Sequence, residues 1–391
     1  MTGTLRKKKK VIFVFGTRPE AIKMAPLILK FKKDKSLKTY VLLSGQHRQM
    51  LDRVLKLFKI RADFDLNIMK PGQDLFDISS SILLGCRDIF RKVKPDIVMV
   101  QGDTTTSFIG ALAAYYERIA VAHIEAGLRT WNKYAPWPEE INRKMITSIA
   151  DMNFVPTEVS QKNLLQENID PRSIFITGNS GIDALFSVRI LLQKEKSLVS
   201  DVRKNLLSMI PSSFLEKIET KKRRLVLITG HRRENFGKGF RNICFALKTL
   251  ATSYPDVTFL YPVHLNPNVR KPVFSILSNI ENIVLCEPLD YPEFIYLMMK
   301  SYLIITDSGG VQEEAPSLGV PVLVMREVTE RPEAVRAGTV RLVGTDLNKI
   351  IKETKKLLDN RKEYESMSKA INPYGDGKTS GRILNLVKKF R

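Results

Sequence analysis

Asp103, Glu125, Glu139 and His231 are the residues whose types and positions best suit proton chemistry. Asp103 follows the apolar run IVMVQG, Glu125 follows VAHI, Glu139 lies in WPEE (137–140) at a helix start, and His231 comes just after LVLIT. Any one of them alone would serve as a cap or an ion-pair partner. Their shared placement at strand or helix ends suits joint acid–base work on one substrate. Arg143 follows Glu139 by one helical turn. The chain has four histidines: His47, His231 and His264 fall just beyond an expected strand, and His123 lies near the end of one. Neither G-x-S-x-G nor H-E-x-x-H occurs, which disfavours hydrolysis through a covalent serine or a bound zinc.

Two further segments suit an anionic ligand. GTRPEAIKMAP (16–26) turns from an apolar run into a helix, with Pro19 suited to the first helical position and Arg18 and Lys23 alongside. The turn carries no dinucleotide or Walker-type glycine pattern, so a nicotinamide or P-loop site is not expected there. In TDSGGVQEEAPSLGVPVL (306–323), Ser308, Gly309 and Gly310 follow a strand and open a short helix, where backbone amides can approach a diphosphate. Glu313 and Glu314 stand one turn on, where a carboxylate accepts from ribose hydroxyls, and Arg331 in TERPEA adds a cation.

The elements that position these groups are short apolar runs alternating with helical patterns, the signature of parallel βαβ construction. The first set of expected strands is 11–15, 40–44, 97–101, 119–124, 153–156 and 174–177. The second is 225–229, 257–263, 283–286, 303–306, 322–325 and 341–343. Their nearly continuous apolar character fits strands covered by helices on both faces. A charged helical stretch, roughly 182–222, separates the sets. The expected division is therefore a first domain over 1–180, rejoined by a C-terminal helical segment from about 360 to 391, and a second over 181–359. Open α/β sheets bind ligands beyond the carboxyl ends of their strands, so a cleft between two such domains is the expected site.

Composition narrows the function classes. A chain of 391 residues with 43% hydrophobic and 27% charged residues matches a soluble protein with a sizeable core. No apolar stretch is long enough to span a bilayer, and the basic run before VIFVF is not followed by a cleavage site, so membrane insertion is not expected and a cytoplasmic location is. Cys86, Cys244 and Cys286 show no metal or disulfide spacing. The net charge of +22 raises nucleic acid as a partner. Its spread over the chain, clustered only at Lys7–Lys10 and Lys221–Arg224 and without stacking aromatics, argues against that partner.

Taken together, FGTRPEAIKMAPLI, GQHRQMLDRVL, QGDTTTSFIGALAA, HIEAGLRT, PWPEEINR, ITGHRREN, YPVHLNPNVR, TDSGGVQEEAPSLGVPVLVMR, TERPEA and NPYGDG resemble the non-hydrolysing UDP-N-acetylglucosamine 2-epimerases. The likeness runs in order from about residue 11 to the C-terminus. It implies an α/β fold of two Rossmann-like, doubly wound domains in the glycosyltransferase-B arrangement with an interdomain cleft. It implies an isomerase that uses no cofactor and no metal. UDP is eliminated across carbons 1 and 2 to give a 2-acetamidoglucal, and its re-addition yields UDP-N-acetylmannosamine for cell-surface polysaccharide synthesis. A homodimer is implied as well.

By the same resemblance, Asp103, Glu125 and Glu139 manage the protons, with His231 at the diphosphate or as acid. Which carboxylate takes the carbon-2 proton stays open. Arg18, Lys23, Arg143, Ser308, Gly309, Gly310 and Arg331 match substrate and diphosphate positions, Glu314 the ribose contact, and Leu289 and Phe294 the uracil end. Gln46, His47, Gln49, Gln73, Arg232 and His264 fall at or near positions where bacterial members bind a second, activating UDP-N-acetylglucosamine. The chain departs from many relatives at Trp131, where glycine is common, at Ala135, where serine is frequent, and at Leu289, often glutamine. The rival readings are a UDP-sugar glycosyltransferase of the same architecture, a hydrolysing relative, and a basic nucleic-acid-binding protein without catalysis.

Overall fold

The apolar runs become strands because only the interior of a two-faced sheet shields every side chain of such a segment. Val11 to Phe15 are all fully buried, as are Val98 to Val100 and Val226 to Ile228. The computed structural model describes residues 8–45 and 48–390. The chain divides into two compact units, one running to Ala184 and resuming at Tyr374, the other Leu185–Pro373.

The first unit holds strands β1 (Lys9–Phe15), β2 (Leu37–Leu43), β3 (Phe64–Asp65), β4 (Ile97–Gln101), β5 (Ala120–Ile124), β6 (Met152–Val155) and β7 (Ile174–Ile176) in the order β3-β2-β1-β4-β5-β6-β7. The second holds β8 (Arg224–Thr229), β9 (Val257–Pro262), β10 (Ile283–Cys286), β11 (Leu303–Thr306), β12 (Val322–Val324) and β13 (Val340–Leu342) in the order β10-β9-β8-β11-β12-β13. Every pairing is parallel. All the expected strands are present, and the structure adds β3. That strand has two residues, too few for a periodic signal, and pairs only with the end of β2.

In each unit the strand order reverses at one place, between β1 and β4 in the first and between β8 and β11 in the second. Loops leaving the carboxyl ends of such a strand pair diverge to opposite sides and open a crevice. The turns at those ends are GTRPE (16–20) and QGDT (101–104) in the first unit, and TGH (229–231) and TDSGG (306–310) in the second.

The helices following β1 and β4 are tied together at this end. Thr17 and Glu20 form a capping box on helix Arg18–Lys33. Glu20 is itself buried and also accepts from Thr104 Oγ1 at 2.6 Å and Ser107 Oγ at 2.7 Å.

The return to the first unit occurs at Tyr374 and not near residue 360 as the helical pattern of the last segment suggested. Helices Leu347–Asp359 and Arg361–Ser368 stay with the second unit because Leu357, Leu358 and Met367 are part of its apolar core. Only helix Thr379–Lys389 packs on the first unit, against helix Arg18–Lys33. Asp183 accepts from its first amides, Thr379 N at 3.2 Å and Ser380 N at 2.8 Å.

Candidate active site

Glu125 occupies the residue after β5 with φ of +64°, a left-handed backbone that costs a non-glycine residue about 1 kcal/mol or more. That turn directs its carboxylate back across the sheet end. Lys23 Nζ lies 2.5 Å from Oε1 and 2.6 Å from Oε2, Asn179 Nδ2 donates to Oε1 at 3.1 Å, and Gln101 Nε2 donates to Oε2. Gly102, at φ +70°, lets the neighbouring turn pass close by: a Cβ there would stand 3.8 Å from Glu125 Oε2. Beneath the turn His123 is fully buried, and its Nε2 lies 2.7 Å from the Gly102 carbonyl oxygen. Burial pushes the imidazole down to about 4, so it is neutral, and a neutral ring that donates from Nε2 holds the Gly102 carbonyl.

Asp103 follows in the same turn. Arg143 Nη2 donates to its Oδ2 at 2.6 Å, and Asn142 Nδ2 donates to its backbone carbonyl at 2.9 Å. Burial raises its carboxyl above the ordinary range; Arg143 opposes this, while the charges of Glu125 and Glu139 add to it. Glu125 and Glu139 are thus near enough for their charges to act on Asp103. Glu139, first residue of helix Glu139–Ile149, has its Oε2 buried without a hydrogen-bond partner. The adjacent Glu140 is fully buried and accepts from Thr130 N and Trp131 N, both at 3.1 Å, which fixes the loop leading into the helix. Trp131 has φ of +63° and is exposed, a left-handed backbone under a large side chain. Arg18 is half-buried at the start of the first helix.

In the second unit Asp307 organises the turn after β8. Its Oδ2 accepts from His231 N at 2.8 Å, Arg232 N at 2.9 Å and Asn235 Nδ2 at 3.3 Å. His231 Nδ1 lies 3.2 Å from Asp307 Oδ1. Burial works against the Asp307 charge, yet His231 and the two amides hold its carboxyl below the ordinary value. The His231 ring stacks on His264, with centroids 5.5 Å apart. Burial, then the His231 charge, lowers His264.

Ser308 is the N-cap of helix Gly309–Glu314. A Cβ on Gly309 would stand 2.5 Å from Arg331 Nη1, so the guanidinium lies directly on that turn, held by Glu313 Oε1 at 2.6 Å from Arg331 Nε. Gly310 faces open space. Glu314 accepts from Tyr291 OH at 2.9 Å; Leu289 is buried and Phe294 half-buried at the same end of the unit's sequence.

The first unit thus brings Lys23, Asp103, Glu125, Glu139 and Arg143 together, and the second gathers His231, Arg232 and His264 around Asp307 and Gly309 with Arg331 on the turn after β11. Arg232 is half-buried, with its Nε enclosed and unpartnered. Gln73 turns inward on its own loop, donating to Ile68 O at 2.6 Å and accepting from Lys70 N at 2.8 Å. Gln46 and His47 lie outside the described residues, as does the side chain of Gln49. Sequence reasoning missed Gln101, Asn179, Glu20 and Asp307's role as an anchor. Gln101 and Asn179 are neutral amides that no spacing rule singles out. Glu20 stood in plain view in the capping-box pattern T-x-x-E.

Known proteins share the sequence and the fold of this chain. The family model described as UDP-N-acetylglucosamine 2-epimerase matches residues 29–388. A UDP-N-acetylglucosamine 2-epimerase of Campylobacter jejuni is 55% identical over 97% of this chain and 98% of its own. The crystal structure of the UDP-GlcNAc 2-epimerase of Neisseria meningitidis bound to UDP-GlcNAc is 48% identical, covers 97% of this chain and 100% of its own, and has a TM-score of 0.88. That of Methanocaldococcus jannaschii, in complex with UDP-GlcNAc and UDP, is 32% identical over 97% of this chain and 100% of its own, with a TM-score of 0.79.

Proposed function

The chain belongs to the UDP-N-acetylglucosamine 2-epimerase family and is an isomerase of that activity, and from this premise we propose how its residues carry the reaction. A carboxylate of the cluster Asp103, Glu125 and Glu139 removes the proton from carbon 2 of UDP-N-acetylglucosamine. The carbon 1–oxygen bond breaks with its electron pair passing to the β-phosphate oxygen of UDP, and a 2-acetamidoglucal is left. UDP then re-forms the carbon 1–oxygen bond while a carboxylic acid delivers a proton to the opposite face of carbon 2, giving UDP-N-acetylmannosamine. The observation that carries this reading is the coupled carboxylate cluster, in which Asp103 is raised towards the protonated form. Such a group keeps its proton to higher pH than an ordinary aspartate.

The second unit binds UDP. Ser308, Gly309 and Gly310 offer amides at the start of a short helix, and Arg331 and His231 add positive or polar groups for the diphosphate. Glu314, oriented by Tyr291, takes the ribose hydroxyls, and Leu289 with Phe294 lies at the uracil. Arg18, Lys23 and Arg143 bind sugar or diphosphate oxygens. Gln46, His47, Gln49, Gln73, Arg232 and His264 serve a second, activating molecule of UDP-N-acetylglucosamine. A hyperbolic rate curve, without a lag when UDP is the starting ligand, would count against that regulation.

The enzyme works in the cytoplasm as a homodimer and supplies N-acetylmannosamine units for cell-surface polysaccharide. None of its described helices is long and apolar enough to cross a membrane. The dimer is supported by helices Leu75–Val93, Thr105–Tyr116 and Glu139–Ile149, which pack as neighbours and expose Phe76, Leu84, Tyr115, Tyr116, Ile141 and Met145.

The test of the reaction is incubation of the full chain with UDP-N-acetylglucosamine, followed by anion-exchange chromatography. A second UDP-sugar at equilibrium with the first, with little free UDP, supports the proposal. Free N-acetylmannosamine with an equal amount of UDP would assign the chain to hydrolysis.

A further inference from the structure

Among the three carboxylates of the first unit, Glu125 is the one enclosed by nitrogen donors. Lys23 reaches it from helix Arg18–Lys33, Gln101 from the end of β4, and Asn179 from the segment after β7. Gln101 and Asn179 are 3% and 2% exposed, so neither amide exchanges its partner for water. Both are fixed in turn. The Gln101 backbone carbonyl accepts from Ser107 Oγ at 2.7 Å, the hydroxyl that also binds Glu20, which fixes the main chain from which the amide projects. Asn179 Oδ1 accepts from Gly181 N at 2.8 Å, and Asn179 N donates to Tyr374 O at 2.7 Å, at the point where the chain rejoins this unit. Asn179 Oδ1 is engaged by Gly181, and Gln101 meets the carboxylate through Nε2, so both present N–H to it, and N–H donors favour its ionised form.

We propose that Gln101 and Asn179 are positioning residues of the epimerase reaction, whose buried amides lock Glu125 as an anion in a single orientation against Lys23. The inference rests on the function proposed above and goes beyond it. With Glu125 held ionised, the acid that returns a proton to carbon 2 is Asp103 or Glu139, and Glu125 contributes fixed negative charge and holds the Lys23 ammonium in place. The titratable groups facing Glu125 include Lys23, Asp103 in the turn after β4, and the neutral His123 beneath it on β5; Arg143 and Glu139 of helix Glu139–Ile149 act on Asp103.

The sign of the expected pH effect follows from the donors. Removing an N–H that stabilises the anion raises the pH at which Glu125 protonates, so activity is lost at higher pH on the acid side. The experiment compares kcat, KM and the pH profile of kcat for the wild-type chain, Gln101→Leu and Asn179→Leu, with Gln101→His as the variant that keeps a ring N–H. Each leucine variant is expected to lower kcat about tenfold, leave KM for UDP-N-acetylglucosamine within about twofold, and move the acid limb up by about one pH unit. Gln101→His is expected to restore the limb. An unmoved limb in a folded leucine variant overturns the inference, and so does a matched rise in KM with no change in the profile. Should the leucine variants unfold, Asn179→Ser, which stays polar but falls short of Glu125, decides the matter by the same limb. Absence of wild-type turnover would overturn the proposed function, and this inference with it; wild-type turnover with an unmoved limb would overturn this inference alone.

Discussion

The charges of Glu125 and Glu139 act on Asp103, yet the immediate surroundings of the three differ. Asp103 is raised and meets Arg143, Glu125 is enclosed by donors, and Glu139 has a buried oxygen without a partner. A group that must gain and lose a proton during turnover fits the first and third descriptions best. Asp103→Asn and Glu139→Gln keep the shape of each side chain and remove its proton chemistry. Each is expected to lower kcat by about 10²- to 10⁴-fold with a small change in KM, as steady-state kinetics would show. Retention of full kcat by either would remove that residue from the proton-transfer pair.

His123 carries a separate consequence. Its folded value of about 4 lies below the ordinary value of 6.5, so the unfolded chain binds the extra proton first as pH falls. Stability that His123 leaves intact at neutral pH is therefore lost between about pH 6.5 and 4, by up to about 3 kcal/mol. Urea unfolding across that range measures it. His123→Asn should flatten the slope, and an unchanged slope in the variant would contradict a buried neutral imidazole.

At the scale of elements, the strand-end turns carry the site because the strand order reverses beside them. Gly309 shows how closely the elements approach there: a Cβ would meet the Arg331 guanidinium at 2.5 Å. Gly309→Ala is expected to displace Arg331 and weaken UDP binding by about tenfold, or about 1.4 kcal/mol, in titration calorimetry. Unchanged affinity would mean that Arg331 does not act on the diphosphate from that position.

The same elements explain what was legible in the sequence. Long apolar runs such as VIFVF and LVLIT can only be buried strands, so both sheets were readable, as were the acidic and glycine-rich turns at their ends. The two-residue strand β3 carries no period. The place where the chain rejoins the first unit was misjudged because helix Arg361–Ser368 is polar in pattern, and its single buried anchor, Met367, gives no sequence signal for the second unit. Gln101 and Asn179 were overlooked because an amide's role depends on which buried carboxylate it meets, and only folding brings β4, β5 and the segment after β7 together.

For the whole molecule, the charge of +22 is accounted for by surface lysines and arginines together with the few cations of the site, of which Lys23, Arg143 and Arg331 are paired with carboxylates. The exposed apolar side chains of the three neighbouring helices make a dimer the expected state. Light scattering should give twice the 44.5 kDa of one chain, and Tyr116→Arg should shift the population towards a single chain. A wild-type mass of 44.5 kDa at micromolar concentration would exclude the dimer.

The central claim is that carbon 2 loses and regains its proton through carboxylates of the first unit. Proton NMR of UDP-N-acetylglucosamine incubated with the enzyme in deuterium oxide tests it most directly. A growing UDP-N-acetylmannosamine signal with deuterium at carbon 2 is expected, slowed strongly in Asp103→Asn and Glu139→Gln. Epimerisation that retains the original hydrogen at carbon 2 would contradict it.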